Sequence, residues 1–256
     1  MAKSSRGGKR GATAGATAAS GGATQDDNSQ VQQAQPAQTM SSSYNAFVNM
    51  TDDDKADVID SMVSQDVPAH LSNSDFQKFI YNIGLNDKPQ LVDDATLNSM
   101  KGKEIFRTVN NVFDSNNDIS YSADQIARQL QAGRITRTSD SGGSVYGRGL
   151  YFADSRTEST YYGNTRGNVK KTAVVRAKLN DNAKIITDSA ARSGAAAEIS
   201  SGSKLGKALA KCDRASQKSI YAMAKGYNVI DANNGTGYFN ILNRQAVTMS
   251  KTIEAK

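Results

Sequence analysis

The sequence has no tryptophan, one cysteine (Cys212), one histidine (His70) and three prolines among its 256 residues. A single cysteine excludes an intramolecular disulfide bond, and one cysteine with one histidine cannot form a zinc site built from those ligands. Since free thiols are typical of reducing compartments, we expect a cytoplasmic protein that works without a metal.

Long apolar runs are also missing, and no stretch approaches the roughly 20 apolar residues of a membrane-spanning helix. The N-terminus carries basic residues but lacks the apolar segment of a secretory signal. We therefore expect no membrane partner. The formal net charge of +6 is modest, and it favours anionic ligands without requiring nucleic acid.

Composition divides the chain into three parts. Residues 1–43 are mostly Gly, Ala, Ser, Thr and Gln. Such a segment cannot bury enough apolar surface to offset its loss of conformational entropy, so it is predicted to be a disordered tail. Residues 44–100 are predicted to form a small helical subdomain, in which Thr51 caps one helix and Gly84 ends another. Residues 101–256 are predicted to form the main domain.

Short strands alternate with helices in the main domain, which predicts an α+β fold. The predicted strands are KEIFRTVN, GRITR, GLYFAD, TAVVRAKL, YNVID, YFNILN and AVTMSKTI, and the predicted helices are SADQIARQLQAG, SRTESTYYG and RASQKSIYAMAKG. No glycine-rich motif follows a strand and opens a helix, so a Rossmann dinucleotide fold and a Walker phosphate loop are unsupported.

The stretch YGRGLYFADSRTESTYYG, residues 146–163, concentrates glycines, hydroxyl side chains and four tyrosines. Alternation along a strand places Tyr151 and Ala153 on the face opposite to their apolar neighbours. In the helix that follows, Ser159 and Tyr162 are three residues apart and lie on one side. Two aromatic rings and a hydroxyl would thus line a cleft suited to a flat heterocycle. An ordinary core strand followed by a helix with a packed aromatic face is the alternative interpretation.

The segment from Gly147 to Asp154 resembles the Gly-x-Gly-Ile-Tyr-Phe-Ala-Asp strand of the ADP-ribosyltransferases, particularly the poly(ADP-ribose) polymerase-like branch. Ser159 and Tyr162 match the Ser-x-x-Tyr helix that follows this strand in the family. The resemblance covers roughly residues 103–252. It implies an ADP-ribosyltransferase-like split β-sandwich with helices, NAD as co-substrate and no metal.

The resemblance also implies roles for individual residues. Tyr151 and Tyr162 would flank the nicotinamide ring of NAD, and Ser159 would hydrogen-bond its carboxamide. Arg107-Thr108 stands where the family has His-Gly or Arg-Gly, and an arginine can bind the phosphate or ribose of NAD through its planar fork of donors. A structural ion pair is the alternative role for Arg107. The implied cofactor-binding set is Arg107, Thr108, Gly149, Tyr151, Phe152, Ala153, Ser159 and Tyr162, and the implied catalytic set is Arg107, Tyr151 and Tyr238.

The segment YFNILNR resembles the family's Glu-Tyr-Val-Val-Leu-Asn-Arg strand, but Tyr238 stands in the place of the glutamate. A carboxylate is the usual means of stabilising the positive charge that develops on the ribose when nicotinamide leaves. Family members that lack the glutamate often transfer a single unit, so the resemblance implies a mono-ADP-ribosyltransferase. In a second interpretation, Asp231 or Gln245 takes the place of the missing carboxylate.

Two further interpretations stay open. A protein that binds NAD without catalysis would suit a structural component of a phage particle. An RNA 2'-phosphotransferase shares the fold and NAD, but that family relies on a histidine, and His70 lies outside the predicted domain. The sequence does not specify the acceptor, a protein or a nucleic acid, although the small, polar segment 188–203 is predicted to be a flexible loop that faces it. A phage-delivered enzyme would act in the host cytoplasm.

Overall fold

Eight strands form one mixed sheet in the part of the chain that the structure describes. The computed structural model describes residues 42–63, 81–85, 87–113, 115–116, 118–134, 149–164, 172–232 and 237–255. The strands, in chain order, are β1 (Gln90–Val92), β2 (Glu104–Asn110), β3 (Val112–Phe113), β4 (Ile119–Tyr121), β5 (Leu150–Ala153), β6 (Thr172–Leu179), β7 (Ile185–Thr187), β8 (Val229–Asp231), β9 (Tyr238–Ile241) and β10 (Val247–Ala255). The sheet order is β1-β10-β6-β2-β5-β9-β8-β7, and β3 and β4 form a separate hairpin.

Eight α-helices accompany this sheet in the described part of the chain, which confirms the predicted α+β class. They are α1 (Ser42–Asn49), α2 (Asp52–Val63), α3 (Asp94–Ser99), α4 (Ala123–Gln131), α5 (Arg156–Asn164), α6 (Asp188–Ser200), α7 (Lys204–Ala210) and α8 (Arg214–Ala224), with a π-helical turn at Tyr81–Leu85 and a 3-10 turn at Arg244–Ala246. The predicted Thr51 cap is present, because the Thr51 hydroxyl accepts from the Asp54 amide at 3.1 Å. The predicted helix SADQIARQLQAG begins with a capping box formed by Ser122 and Gln125.

The sheet opens between its two central strands. Strand β2 pairs with β6 along its whole length, and β5 pairs along its whole length with β9. Between β2 and β5, the described residues make one register pair, Phe106 with Ala153. The described strands therefore form one sheet with two weakly joined halves. The resemblance, by contrast, implied a split sandwich made of two sheets.

The described residues between 44 and 100 pack against the sheet of the predicted main domain. Strand β1 lies parallel to β10 at the edge of the sheet. Tyr44, Phe47 and Ile59 share one hydrophobic cluster with Phe152 of β5. Apolar side chains of short helices cannot form a sufficient core alone, and here they complete the core of the sheet. Most of the predicted second helix, the predicted strand GRITR apart from its first two residues, and His70 lie outside the described residues.

The segment predicted as a flexible loop, 188–203, is instead mostly helix α6. Its N-cap is Thr187, whose side chain accepts from the Ala190 amide at 3.2 Å. The segment is rich in alanine, which has the highest helix propensity, and Ala191 and Ala195 are buried against the core. Small polar composition alone was a poor guide, because a capped, alanine-rich segment folds as a helix once one face is covered.

Cys212 is buried at 6% exposure, and burial raises the pKa of its thiol to about 12 from an ordinary value of 9.0. The thiolate is the reactive form, so its population near pH 8 is about a thousandfold lower than for an unperturbed thiol. We expect a thiol-specific chromogenic reagent to label the native protein very slowly and the denaturant-unfolded protein at once. Full labelling of the native protein within the mixing time would contradict this burial.

Within the described residues, no helix has the length and apolarity needed to cross a membrane.

Candidate functional site

Helix α5 packs across the opened centre of the sheet and carries the predicted hydroxyl anchor. The chain turns into the helix at Ser155, whose Oγ accepts from the Glu158 amide at 3.1 Å. The Ser155 carbonyl accepts from the Ser159 amide at 3.0 Å. The side-chain bond satisfies a first-turn amide that has no carbonyl partner within the helix, and the backbone bond is the first of the helical ladder. Together they fix the consecutive residues Glu158 and Ser159 relative to strand β5, which ends two residues before the helix.

Ser159 meets β2 through Thr108. Their hydroxyl oxygens lie 2.8 Å apart, with either able to donate, and Ser159 is only 5% exposed. Thr108 occupies the position at which the family carries a glycine, so its side chain takes up space that a glycine would leave open. A hydroxyl has one donor and two acceptor positions, so this pair retains hydrogen-bonding capacity for a ligand amide.

Arg107 lies on the opposite face of β2 from Thr108, because side chains alternate along a strand. It shares that face with Ile105 and Val109, which are in the hydrophobic cluster. Its Nη1 donates to the carbonyl oxygen of Tyr151 at 2.6 Å. Arg107 therefore bridges the opening between β2 and β5, where few ladder hydrogen bonds join the two strands.

Burial lowers the pKa of the Arg107 guanidinium to about 10 from its ordinary value of 12.5. The group is still cationic at neutral pH, and a cation removed from water attracts an anion more strongly than an exposed one. The side-chain contact that the structure gives for Arg107 is a hydrogen bond to a backbone carbonyl. The arginine thus contributes both a hydrogen bond across the sheet opening and a positive charge beside it.

Strand β5 divides its side chains between the core and the site. Phe152 is 1% exposed within the hydrophobic cluster, so its ring packs in the core and faces away from Tyr151. Tyr151 is partly exposed, and Ala153 lies in a small separate cluster with Tyr238. Of the two aromatic walls predicted, Tyr151 therefore lies on the α5 face of the sheet, and the side chain of Tyr162 lies outside the described residues.

Gly149 enters β5 where the backbone passes close to β9. Its φ is +154°, and a Cβ added there would lie 2.0 Å from Asn240 Oδ1 and 2.8 Å from the Ile241 carbonyl oxygen. Such a separation is impossible for real atoms, so only glycine fits without a shift of one strand. Gly149, which the resemblance places in the cofactor-binding set, thus lets the backbone approach Asn240 of β9.

Tyr238 brings a carboxylate to the site from another part of the chain. It lies opposite Ala153 in the β5–β9 ladder and is 7% exposed. Its hydroxyl donates a short hydrogen bond to Oε1 of Glu158, a residue 80 positions earlier in the sequence. The position where the family has a glutamate thus holds a tyrosine that binds a glutamate.

Sequence reasoning missed Glu158 because it lies 80 positions before Tyr238, far from the segment 231–245 that holds the two alternatives named from the sequence. Glu158 directly precedes the predicted anchor Ser159, and this adjacency is the signal that could have pointed to it. The two alternatives named from the sequence lie elsewhere. Asp231 pairs with Phe239 and so shares the face opposite to Tyr238. The backbone carbonyl of Gln245 accepts from Asn180.

Asp154, the last residue of the Gly-x-Gly-x-Tyr-Phe-Ala-Asp match, joins β5 to the residue before Tyr238. Its amide donates to the Gly237 carbonyl at 2.6 Å. A Cβ on Gly237 would lie 2.4 Å from Asp154 Oδ1, and Asp154 also pairs with Lys103 at 3.5 Å. The aspartate therefore holds the start of β9, and with it Tyr238, beside β5.

Among the residues that the structure describes, no group of three or more His, Cys, Asp and Glu side chains is arranged to hold a metal ion. Comparisons with protein-family models, with curated proteins and with solved structures gave no match.

Proposed function

We propose that the protein is an NAD-dependent mono-ADP-ribosyltransferase with an ADP-ribosyltransferase-like fold. The observation that carries the proposal is the convergence of three motifs that lie far apart in the sequence. Arg107 donates to the Tyr151 carbonyl, Thr108 contacts Ser159, and Ala153 lies opposite Tyr238. Independent motifs of an ordinary core would have no reason to meet around one opening in the sheet.

The residues at this opening have the chemistry that NAD requires. Tyr151 offers an aromatic face for the nicotinamide ring, and the Thr108–Ser159 pair offers hydroxyls for its carboxamide. Arg107 lies on the opposite face of β2, so it holds β5 beside β2 through the Tyr151 carbonyl and adds positive charge to the field around the opening. The nicotinamide ring and its carboxamide thus have complementary groups from β2, β5 and α5.

The reaction exchanges one bond at the ribose anomeric carbon. The bond from this carbon to the nicotinamide nitrogen breaks, and its electron pair leaves with neutral nicotinamide. A nucleophilic oxygen or nitrogen of the acceptor then bonds to the same carbon and gives up its proton. The transition state carries positive charge on the ribose, so a nearby anion or oriented dipole lowers its free energy.

A second candidate function is a non-catalytic NAD-binding protein, such as a structural component of a phage particle. Two observations favour it: the Thr108 hydroxyl already contacts the predicted anchor Ser159, and a tyrosine occupies position 238 where the family has its carboxylate. Binding without transfer is the feature that separates this candidate from the enzyme.

The two candidates are distinguished by incubating the protein with a cell lysate and NAD labelled in its adenine ring. A transferase leaves label on macromolecules, whereas NAD labelled in nicotinamide, the matched control, leaves none. Digestion of the product with protease or with nuclease then reports the class of acceptor. Adenine label that stays entirely in small molecules would contradict the transferase and leave the binding protein.

A further inference from the structure

We propose that Glu158 is the catalytic carboxylate of this site and that Tyr238 positions it. The proposal rests on the proposed function and assigns to a helix residue the role that the family assigns to a strand residue. It starts from the hydrogen bond between the Tyr238 hydroxyl and Glu158 Oε1. Tyr238 stands where the family has a glutamate. The bond brings the carboxylate of Glu158, the only glutamate of α5, to the side chain of Tyr238.

The geometry of α5 directs its two functional side chains to opposite sides of β5. Consecutive helical residues project about 100° apart, and Ser159 reaches Thr108 of β2 while Glu158 reaches Tyr238 of β9. In the sheet, β5 lies between these two strands. A nicotinamide ring stacked on Tyr151 and held by Ser159 would therefore have the Glu158 carboxylate on the β9 side, where the attached ribose can reach it.

Tyr238 is suited to hold the carboxylate in one orientation. It is nearly buried at 7% exposure, and its strand is fixed to β5 by the Asp154–Gly237 hydrogen bond. The Glu158 backbone is fixed in turn by the Ser155 cap. A carboxylate has two acceptor oxygens, so binding of Oε1 by Tyr238 leaves Oε2 as the oxygen to direct at substrate.

The neighbouring carboxylates are placed for other contacts. Asp154 pairs with Lys103 and stands against Gly237, and Asp231 lies on the other face of the sheet. Glu254 pairs with Arg156 at the first residue of α5. Within the described part of the chain, Glu158 is the carboxylate that meets the residue in the glutamate's place.

In the transfer step, the Glu158 carboxylate would stabilise the positive ribose as nicotinamide leaves with the bonding electron pair. It would then accept the proton that the acceptor oxygen or nitrogen releases as it bonds to the anomeric carbon. The proton passes to solvent after product release, so the balance is NAD plus acceptor giving nicotinamide, ADP-ribosylated acceptor and one proton.

The test measures nicotinamide release and NAD affinity for the full chain and for three variants. Glu158→Gln keeps an oxygen that can accept from Tyr238 but loses the charge, so we expect release to fall by about a hundredfold or more with the NAD dissociation constant changed less than about threefold. Tyr238→Phe keeps the carboxylate but frees its orientation, and we expect kcat to fall about tenfold with KM little changed. Glu198→Gln is the matched control: Glu198 lies on α6 and bonds Ser203 and Lys225, so release stays at the wild-type rate.

The outcomes distinguish a failure of the Glu158 assignment from a failure of the proposed transferase function. If the wild type and Glu158→Gln release nicotinamide at the same rate, the catalytic role of Glu158 is overturned, whereas the proposed transferase function is retained. A parallel loss of NAD affinity and rate in Glu158→Gln would make Glu158 a binding or structural residue, and would also overturn its catalytic role. A wild-type protein that releases no nicotinamide would overturn the proposed function and this assignment with it.

Discussion

The Gly149→Ala variant is expected to be less stable than the wild type by about 3 kcal/mol. The added methyl would lie 2.0 Å from Asn240 Oδ1 and 2.8 Å from a backbone oxygen of β9, and overpacking of a tight interior typically costs about 1–3 kcal/mol. The positive φ of +154° adds strain of roughly 1–2 kcal/mol for a residue with a Cβ. Thermal or urea unfolding measures the effect, which corresponds to a fall in Tm of roughly 6–12 °C for a chain of this size.

Gly202→Ala is the matched control for this prediction. Gly202 also has a positive φ, of +70°, but a Cβ added there has no atom within 4 Å. Its substitution therefore reports backbone strain alone, expected at about 1 kcal/mol. A second variant, Asn240→Ala in the Gly149→Ala background, removes the closest contact and should restore part of the lost stability. Equal costs at positions 149 and 202 would contradict the close approach of β5 and β9.

The Tyr151→Ala variant is expected to bind NAD about thirtyfold more weakly than the wild type. Loss of an aromatic wall that stacks on a flat ring removes about 2 kcal/mol of binding free energy. The fold should persist, because the Tyr151 side chain is partly exposed and the carbonyl that Arg107 binds belongs to the backbone. Calorimetric titration with NAD, together with the unfolding temperature of each protein, separates lost binding from lost structure.

Tyr161→Ala controls for the loss of a tyrosine near the site. Tyr161 lies on α5 but is 63% exposed, so its removal should leave the affinity for NAD close to that of the wild type. An unchanged affinity of Tyr151→Ala would mean that the α5 face of β5 is not the nicotinamide site. Weakened binding in Tyr161→Ala instead would move the site to the outer surface of α5.

The local elements of the fold were predictable because local chemistry decides them. Caps such as Thr51 and the Ser122–Gln125 box satisfy amides within one helical turn, and both are present. Alternation in GLYFAD places Phe152 in the core and Tyr151 on the opposite face. These features depend on residues within a few positions of each other.

The long-range features could not be predicted from patterns of that length. Parallel pairing of β1 with β10 joins segments more than 150 residues apart, so residues 44–100 looked like a separate subdomain. The single pair between β2 and β5 is likewise a property of how the two halves of the sheet twist and pack. Helix α6 was mistaken for a loop because its small residues gain stability only when they cover the core.

In the candidate site, too, some contacts could be predicted from the sequence and others could not. The resemblance pointed to Thr108 and Ser159 as parts of one site, and their hydroxyls are in contact. It gave no account of Glu158, since that contact joins a helix to a strand through the packing of α5 on the sheet. It also placed Arg107 at the ligand, whereas side-chain alternation puts Arg107 on the other face of β2, bound to the Tyr151 carbonyl.

The proposed transferase is tested by the rate at which the wild-type protein releases nicotinamide from NAD in the presence of lysate acceptors. We expect release above the rate in buffer, in proportion to protein concentration, and loss of this release in Tyr151→Ala. Release no faster than in buffer at any protein concentration would contradict a transferase at this site.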